Sequence, residues 1–311
     1  MMKKDTLYLH VGWSKTGTSA VQSQIQAQHE DFLAKGILYP QSLQWPDHSH
    51  HPFALSFKGS GAYQSDMSPA DALEKLRVEM QASSAASVLL SSELSPMYFN
   101  NPRFKVFVAE HFETVKVIFT VRPQSELLLS LFNQLVKDPN IRYGASLFTL
   151  AMRNVSWLNY LNHVRQWEKH VGGEHLSVIP YSRQVVQDFL ASFGIEYRAG
   201  ANQADETAII NPSLPTRCLP LVQRFGRGQM GNAEFVRRRD KIISLSETLD
   251  RDQDKHMLFS VAEQQAFDAH FKQGNQKLIE WFGLPAESLN KSGYQPIKVL
   301  PVEQLSMEDL G

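Results

Sequence analysis

The sequence predicts an α/β fold: three layers, with a parallel sheet flanked by helices on both faces and a helical C-terminal extension. Three observations predict it. The apolar runs at 87–90 and 115–121 lack the polar alternation of a half-exposed sheet, as strands covered on both faces do. Helical sequence precedes or follows each run. Beyond about Asp205 the strand signals fade while helix signals persist.

The first strand is the run 7–11 at Gly12, and residues 18–35 then suit a helix with Val21, Ile25, Phe32 and Leu33 as core positions. That is a strand, a tight turn and a helix. Strands follow at 87–90 and 115–121, the second ending in Arg122 and Pro123, with a helix from about Ser125 that carries Leu127, Leu128, Ser130 and Phe132. A helix over 157–170, a fourth strand at 176–180 and a helix over 182–193 stopped by Gly194 complete the alternation. In the last third, Ser260-Val-Ala-Glu263 is a capping box whose helix runs to Phe282 before Gly283. Residues 1–204 therefore read as the α/β core and 205–311 as a helical extension packed on it, irregular after Leu284 where Pro285, Pro296 and Pro301 follow.

Composition narrows the function. The 311 residues carry 31 Lys and Arg against 32 Asp and Glu, so a net charge of −1 provides no field for a nucleic acid. One cysteine, Cys218, excludes an internal disulfide and any structural zinc site built on two thiolates. A reducing, cytoplasmic setting is the expectation. The N-terminal apolar stretch is broken by Asp5, His10 and Lys15, and no run approaches the ~20 residues of a bilayer crossing, so neither a signal segment nor a transmembrane segment is expected. Oligomeric state stays open.

The loop Gly12-Trp-Ser-Lys-Thr-Gly-Thr-Ser19 joins strand to helix, where backbone N–H groups and the positive helix end can cradle a phosphate. Its two glycines keep the spacing of G-x-x-x-x-G-K-[ST], but Thr18 stands in the lysine position and Lys15 lies inside the loop. A lysine there sits beside the innermost phosphate and can neutralise a leaving group. Thr16, Thr18 and Ser19 add donors. Downstream, Arg122 ends a strand at the carboxyl edge of the sheet, where ligands of open α/β sheets bind, and Ser130 follows eight positions later. An arginine fork there grips a phosphate in place of the aspartate that would hold magnesium. The same residues also fit plainer roles, with Arg122 paired to Glu126 and Ser130 an ordinary helix hydroxyl.

Together these residues resemble the sulfotransferases that use 3′-phosphoadenosine 5′-phosphosulfate (PAPS). Lys15-Thr-Gly-Thr-Ser19 is similar to that family's 5′-phosphosulfate loop, and Arg122 with Ser130 matches its 3′-phosphate motif. Ser14 replaces the usual proline before the lysine, Pro123 directly follows Arg122, and the family's Arg-Lys-Gly cofactor segment has no match. The resemblance implies a P-loop-like fold and binding of PAPS by Lys15, Thr16, Gly17, Thr18, Ser19, Arg122 and Ser130. It extends through 157–194, similar to bacterial carbohydrate-type members, and fades after Asn211-Pro-Ser-Leu214. It also implies transfer of a sulfuryl group to a hydroxyl or amine of a small-molecule or glycan acceptor, with PAP, the 3′,5′-bisphosphate, as product. Glu93-Leu-Ser-Pro-Met-Tyr-Phe99 is similar to a segment of heparan-type members that supplies the base, with Leu94 where they have lysine. Glu93 and Lys15 are thus the expected catalytic pair.

A glutamate is a weak base for an alcohol, so burial or desolvation by the substrate would have to raise Glu93 toward neutrality. Glu93 also fits a structural role, paired with Arg122 or capping the helix after Pro96. In the cluster His48, His50 and His51, the latter two are candidates to line the acceptor cleft, where one imidazole can substitute as base. His10 reads as a satisfied core histidine. Sulfate carries less charge than a terminal phosphate, so no metal is required. Two alternatives remain: a P-loop kinase with Glu93 holding magnesium through water, and a silent nucleotide-binding protein.

Overall fold

The computed structural model describes residues 3–57, 65–94, 101–199, 214, 216–246 and 259–290. In chain order its elements are β1 (Lys4–His10), α1 (Thr18–Ala27), α2 (His29–Ala34), β2 (Ile37–Leu38), α3 (His51–Ser56), α4 (Pro69–Ala82), β3 (Ser87–Ser91), α5 (Pro102–His111) and β4 (Phe112–Val121). They continue with α6 (Gln124–Lys137), α7 (Leu147–Asn154), α8 (Tyr160–Val171), β5 (Leu176–Pro180), α9 (Val185–Ala191), α10 (Leu219–Gly226), α11 (Asn232–Ser246) and α12 (Val261–Phe282). Two compact units divide the chain: one draws on 1–122, 160–207 and 281–284, the other on 123–159, 208–280 and 285–311.

The first unit is built on a five-stranded parallel sheet of order β2-β3-β1-β4-β5. Alternate side chains leave opposite faces of a strand. Tyr8, Leu89, Ile118 and Ile179 therefore share one face, where they pack with Val21 and Ile25 of α1 and Val185 and Phe189 of α9. Leu7, Leu9, Val88, Leu90, Val117 and Phe119 leave the other face and are equally buried. Burial on both faces explains the apolar character of 87–90 and 117–121, while Lys116 is exposed and breaks the run expected from 115. With β1 central, the carboxyl ends of β3 and β4 flank its own: His10 stands in register with Ser91 on one side and Ile118 on the other.

Several boundaries differ from the sequence reading, each for a local reason. The helix expected over 18–35 is two, because the chain turns at Gln28. The Gln28 amide donates to Asp31 Oδ2 (2.8 Å) and the Glu196 carbonyl (2.9 Å) and accepts from Arg198 N–H (3.1 Å), which ties α1 to the segment after α9. The helix expected over 157–170 begins at Tyr160, and Trp157 lies in the turns that leave α7. The helix over 182–193 shortens at both ends to α9, and Gly194 closes the turn that follows it at φ +64°. β2 is only two residues long, too short to leave a periodic signal.

In the second unit α6 buries Leu127, Leu128, Phe132 and Val136. Asn133 Nδ2 donates to the Leu214 carbonyl at 2.7 Å and its Oδ1 accepts from Leu214 N–H at 3.3 Å. The capping box at Ser260 forms as expected: Glu263 N–H donates to Ser260 Oγ (3.2 Å) and Ser260 N–H to Glu263 Oε2 (2.7 Å). Residues 95–99, 211–213, Pro296 and Pro301, each part of an expectation above, lie outside the described residues.

Candidate functional site

The chain leaves β1 at His10 and crosses the carboxyl edge of the sheet to α1. Two backbone bonds anchor the crossing to β4, from Val11 N–H to the Ile118 carbonyl (2.9 Å) and from Trp13 N–H to the Thr120 carbonyl (3.2 Å). Gly12 lies so close to β4 that a Cβ there would stand 2.1 Å from Thr120 Oγ1 and 3.2 Å from His10 Nε2. Gly12→Ala should therefore push Thr120 aside and lower stability by about 2 kcal/mol, read as a lower urea midpoint with an unchanged slope. Gly17 begins α1 at φ +85°, and Lys15 holds φ +71°. A lysine in the left-handed region is strained, a condition that clusters at ligand clamps.

Within the loop the hydroxyl groups divide. Thr16 Oγ1 and Thr16 N–H both donate to the Trp13 carbonyl, at 2.5 and 3.2 Å, and Thr16 Oγ1 also meets Thr120 Oγ1 at 2.7 Å. Thr16 thus locks the turn; neither its hydroxyl nor its N–H points to a ligand, against the sequence expectation. Thr18 is buried and Ser19 exposed. No side chain caps α1, so its first-turn N–H groups and the positive helix end are turned to this loop.

Arg122 follows the last residue of β4. Its Nη1 donates to the Lys15 carbonyl at 3.4 Å, its guanidinium lies 4.5 Å from the centre of the Tyr181 ring, and its carbonyl accepts from Tyr160 Oη at 2.8 Å. Tyr181 follows β5 and donates its N–H to the Val121 carbonyl at 2.7 Å. Its ring also borders Gly17, where a Cβ would come within 3.3 Å. Burial, and then the Arg122 charge, lower the Lys15 pKa, with Glu93 acting in the opposite sense. Two neighbouring cations in a partly desolvated loop call for an anion.

Glu93 lies two residues beyond β3 on the same edge. Its Oε2 is 3.6 Å from His51 Nε2 and accepts from Gln22 Nε2 at 3.4 Å. Burial alone would raise its pKa, but His51 foremost, with the backbone of Glu93 and the Gln22 amide, outweighs it and holds the carboxyl below its usual range. Of the two expected routes to a higher value, burial therefore fails in the ligand-free protein, and desolvation by the substrate is the one that is left. His51 is also bonded through Nδ1 to Ser92 Oγ at 2.8 Å, and the exposed Trp45 ring stands edge-on to it at 5.3 Å.

His50 is placed differently from His51. Its Nδ1 accepts from Ser91 N–H at 3.0 Å and its Nε2 donates to the Pro40 carbonyl at 2.9 Å, so both ring nitrogens serve the fold and none is left for an acceptor. His10 is equally buried, as expected of a core histidine. Burial lowers both to about 4 from an ordinary value of 6.5. The sign follows: the unfolded chain binds these protons first, so stability falls as pH drops from about 6.5 to 4. At pH 5 each histidine should remove about 2 kcal/mol, visible as a lower urea midpoint than at pH 7. His50→Gln should flatten that slope.

Lys15, Arg122, Glu93 and His51 thus belong to one edge of the first unit. Ser130 lies in the second unit, half-buried on α6. Gln22 was not singled out from the sequence: a glutamine in a helix carries no signal of its own. Among the described residues no three His, Cys, Asp or Glu side chains converge on a point that could hold a metal ion, and no helix is long and apolar enough to cross a membrane.

No family model and no curated protein matches the chain. Among solved structures it is similar to a sulfotransferase from Alicyclobacillus acidocaldarius, with 14% identity over 92% of this chain and 98% of that one and a TM-score of 0.49. It is also similar to the sulfotransferase domain of the Synechococcus PCC 7002 olefin synthase, with 13% identity over 79% and 95% of the two chains and a TM-score of 0.32.

Proposed function

We propose that the chain is a PAPS-dependent sulfotransferase acting on a hydroxyl or amine of a carbohydrate or glycoconjugate. One observation carries this reading: the loop lysine and the strand-end arginine adjoin, Arg122 Nη1 reaching the Lys15 carbonyl at 3.4 Å, so one nucleotide phosphorylated at both ends could engage both. Lys15 then faces the bond between sulfur and the 5′-phosphate oxygen, and Arg122 takes the 3′-phosphate. As the acceptor oxygen bonds to sulfur, the bond to the 5′-phosphate breaks; Glu93 takes the acceptor proton and Lys15 neutralises the departing phosphate. The anion loop supplies the rest of the charge, and no metal has a part in these steps.

Protection against thermal unfolding by adenosine 3′,5′-bisphosphate and by ATP, followed by transfer of labelled sulfate from PAPS to an oligosaccharide panel, tests the reading. Stronger protection by the bisphosphate, with transfer, is expected. Stronger protection by ATP overturns it in favour of a kinase. The low pKa of Glu93 favours one second reading, a nucleotide-binding protein without transfer activity, and protection without transfer to any acceptor would select it.

A further inference from the structure

Beneath the anion loop the buried polar side chains join into a chain whose direction can be worked out. Thr16 Oγ1 spends its proton on the Trp13 carbonyl. In its 2.7 Å contact with Thr120 Oγ1 it must therefore accept, and Thr120 is the donor. Thr120 Oγ1, its own proton spent, accepts from His10 Nε2 at 3.4 Å. His10 Nδ1 is then the acceptor of the Ser91 hydroxyl at 2.8 Å, and Ser91 Oγ accepts from Gln22 Nε2 at 3.2 Å. The same amide nitrogen donates to Glu93 Oε2 at 3.4 Å and lies 3.5 Å from the Ser91 carbonyl. From Gln22 to Trp13 every link points one way, away from the amide, which also donates to Glu93, and the run closes only with His10 neutral and protonated at Nε2.

We propose that Gln22, Ser91 and His10 are positioning residues: a chain of hydrogen bonds that runs out from the Gln22 amide in both directions and ties the Glu93 carboxylate to the floor of the anion loop. The inference rests on the reading of Glu93 as the carboxylate that meets the acceptor. Gln22 suits the role because it lies on α1, the helix that starts at the loop, and is 1% exposed. Movement of the loop backbone at Trp13 passes through buried, fully engaged groups to the amide that holds Glu93. The groups that face Glu93 are His51 of α3, Gln22 of α1, Lys15 of the loop, His10 of β1 and Tyr39 after β2. Gln22 donates to Glu93 through an uncharged amide, so its loss removes a bond without removing a charge.

Two NMR measurements on the ligand-free protein test this. ¹⁵N shifts of His10 should show a neutral ring with its proton on Nε2 at pH 7, and a proton on Nδ1 would overturn the proposal. Titration of the Glu93 side-chain carboxyl by ¹³C should give a higher midpoint in Gln22→Leu than in the unaltered protein, with His51 still in place; an unchanged midpoint in a variant with native amide shifts would also overturn it. A helix glutamine with only a packing role would leave that midpoint alone. Should Gln22→Leu fail to fold, the His10 tautomer of the unaltered protein decides. Adenosine 3′,5′-bisphosphate is then added to the same samples. No saturable shift would remove the sulfotransferase reading while leaving both NMR results, and hence the chain, intact.

Discussion

Lys15→Ala is expected to lower turnover by about 10²- to 10³-fold, measured as labelled sulfate transferred per minute, while affinity for adenosine 3′,5′-bisphosphate changes much less. The split follows from where charge develops. In the proposed reaction Arg122 and the first-turn N–H groups of α1 contact phosphate in the ground state as well as later, whereas Lys15 meets charge that grows only as the bond to the 5′-phosphate breaks. Burial and Arg122 already destabilise the Lys15 ammonium, and an oxygen gaining negative charge relieves both effects. Equal losses in turnover and affinity would make Lys15 a binding residue. Lys15→Arg should recover affinity without recovering turnover, because a fork at φ +71° cannot set a point charge at the same place.

Glu93→Gln should cost about 10²- to 10⁴-fold in turnover with little effect on nucleotide affinity, since it removes the proposed proton acceptor and keeps the side-chain shape. The pH profile identifies the base independently. A base must be ionised, and Glu93 is held below the ordinary glutamate value of 4.5, so kcat/KM should stay level from neutral pH down past that point. A histidine base would instead give an acid limb near 6.5. The same depressed pKa adds stability that is present above the unfolded value and lost as pH falls through the folded one. His10 and His50 weaken the fold over 6.5 to 4, so the limb is best read in short assays with stability measured in parallel.

How far the sequence reaches can be seen in these residues. Lys15, Arg122 and Glu93 were legible because each ends, or follows, an apolar run without alternation, and such runs deliver what comes after them to one edge of a parallel sheet. The strand at 176–180 was legible in full for the same reason. β2 was not, being two residues long, nor was the break at Gln28, which depends on partners near 196–198. The inward turn of the Thr16 hydroxyl, the Tyr181 ring over Arg122 and the engagement of both nitrogens of His50 are set by neighbours on other strands. Periodicity and motif spacing describe one element at a time. The direction in which burial and partners move Glu93 was equally out of reach, because it depends on a glutamine and a histidine from two different helices.

Trp13 offers a practical handle on all of this. Its indole is 4% exposed, packed 4.4 Å from the Tyr160 ring and 5.8 Å from Phe119, while its backbone receives both bonds from Thr16. A fluorophore built into the turn itself should register an arriving nucleotide as a change in emission without any label or coupled assay. The chain has five tryptophans, and the spectrum that disappears in Trp13→Phe isolates the share of the signal that belongs to the turn.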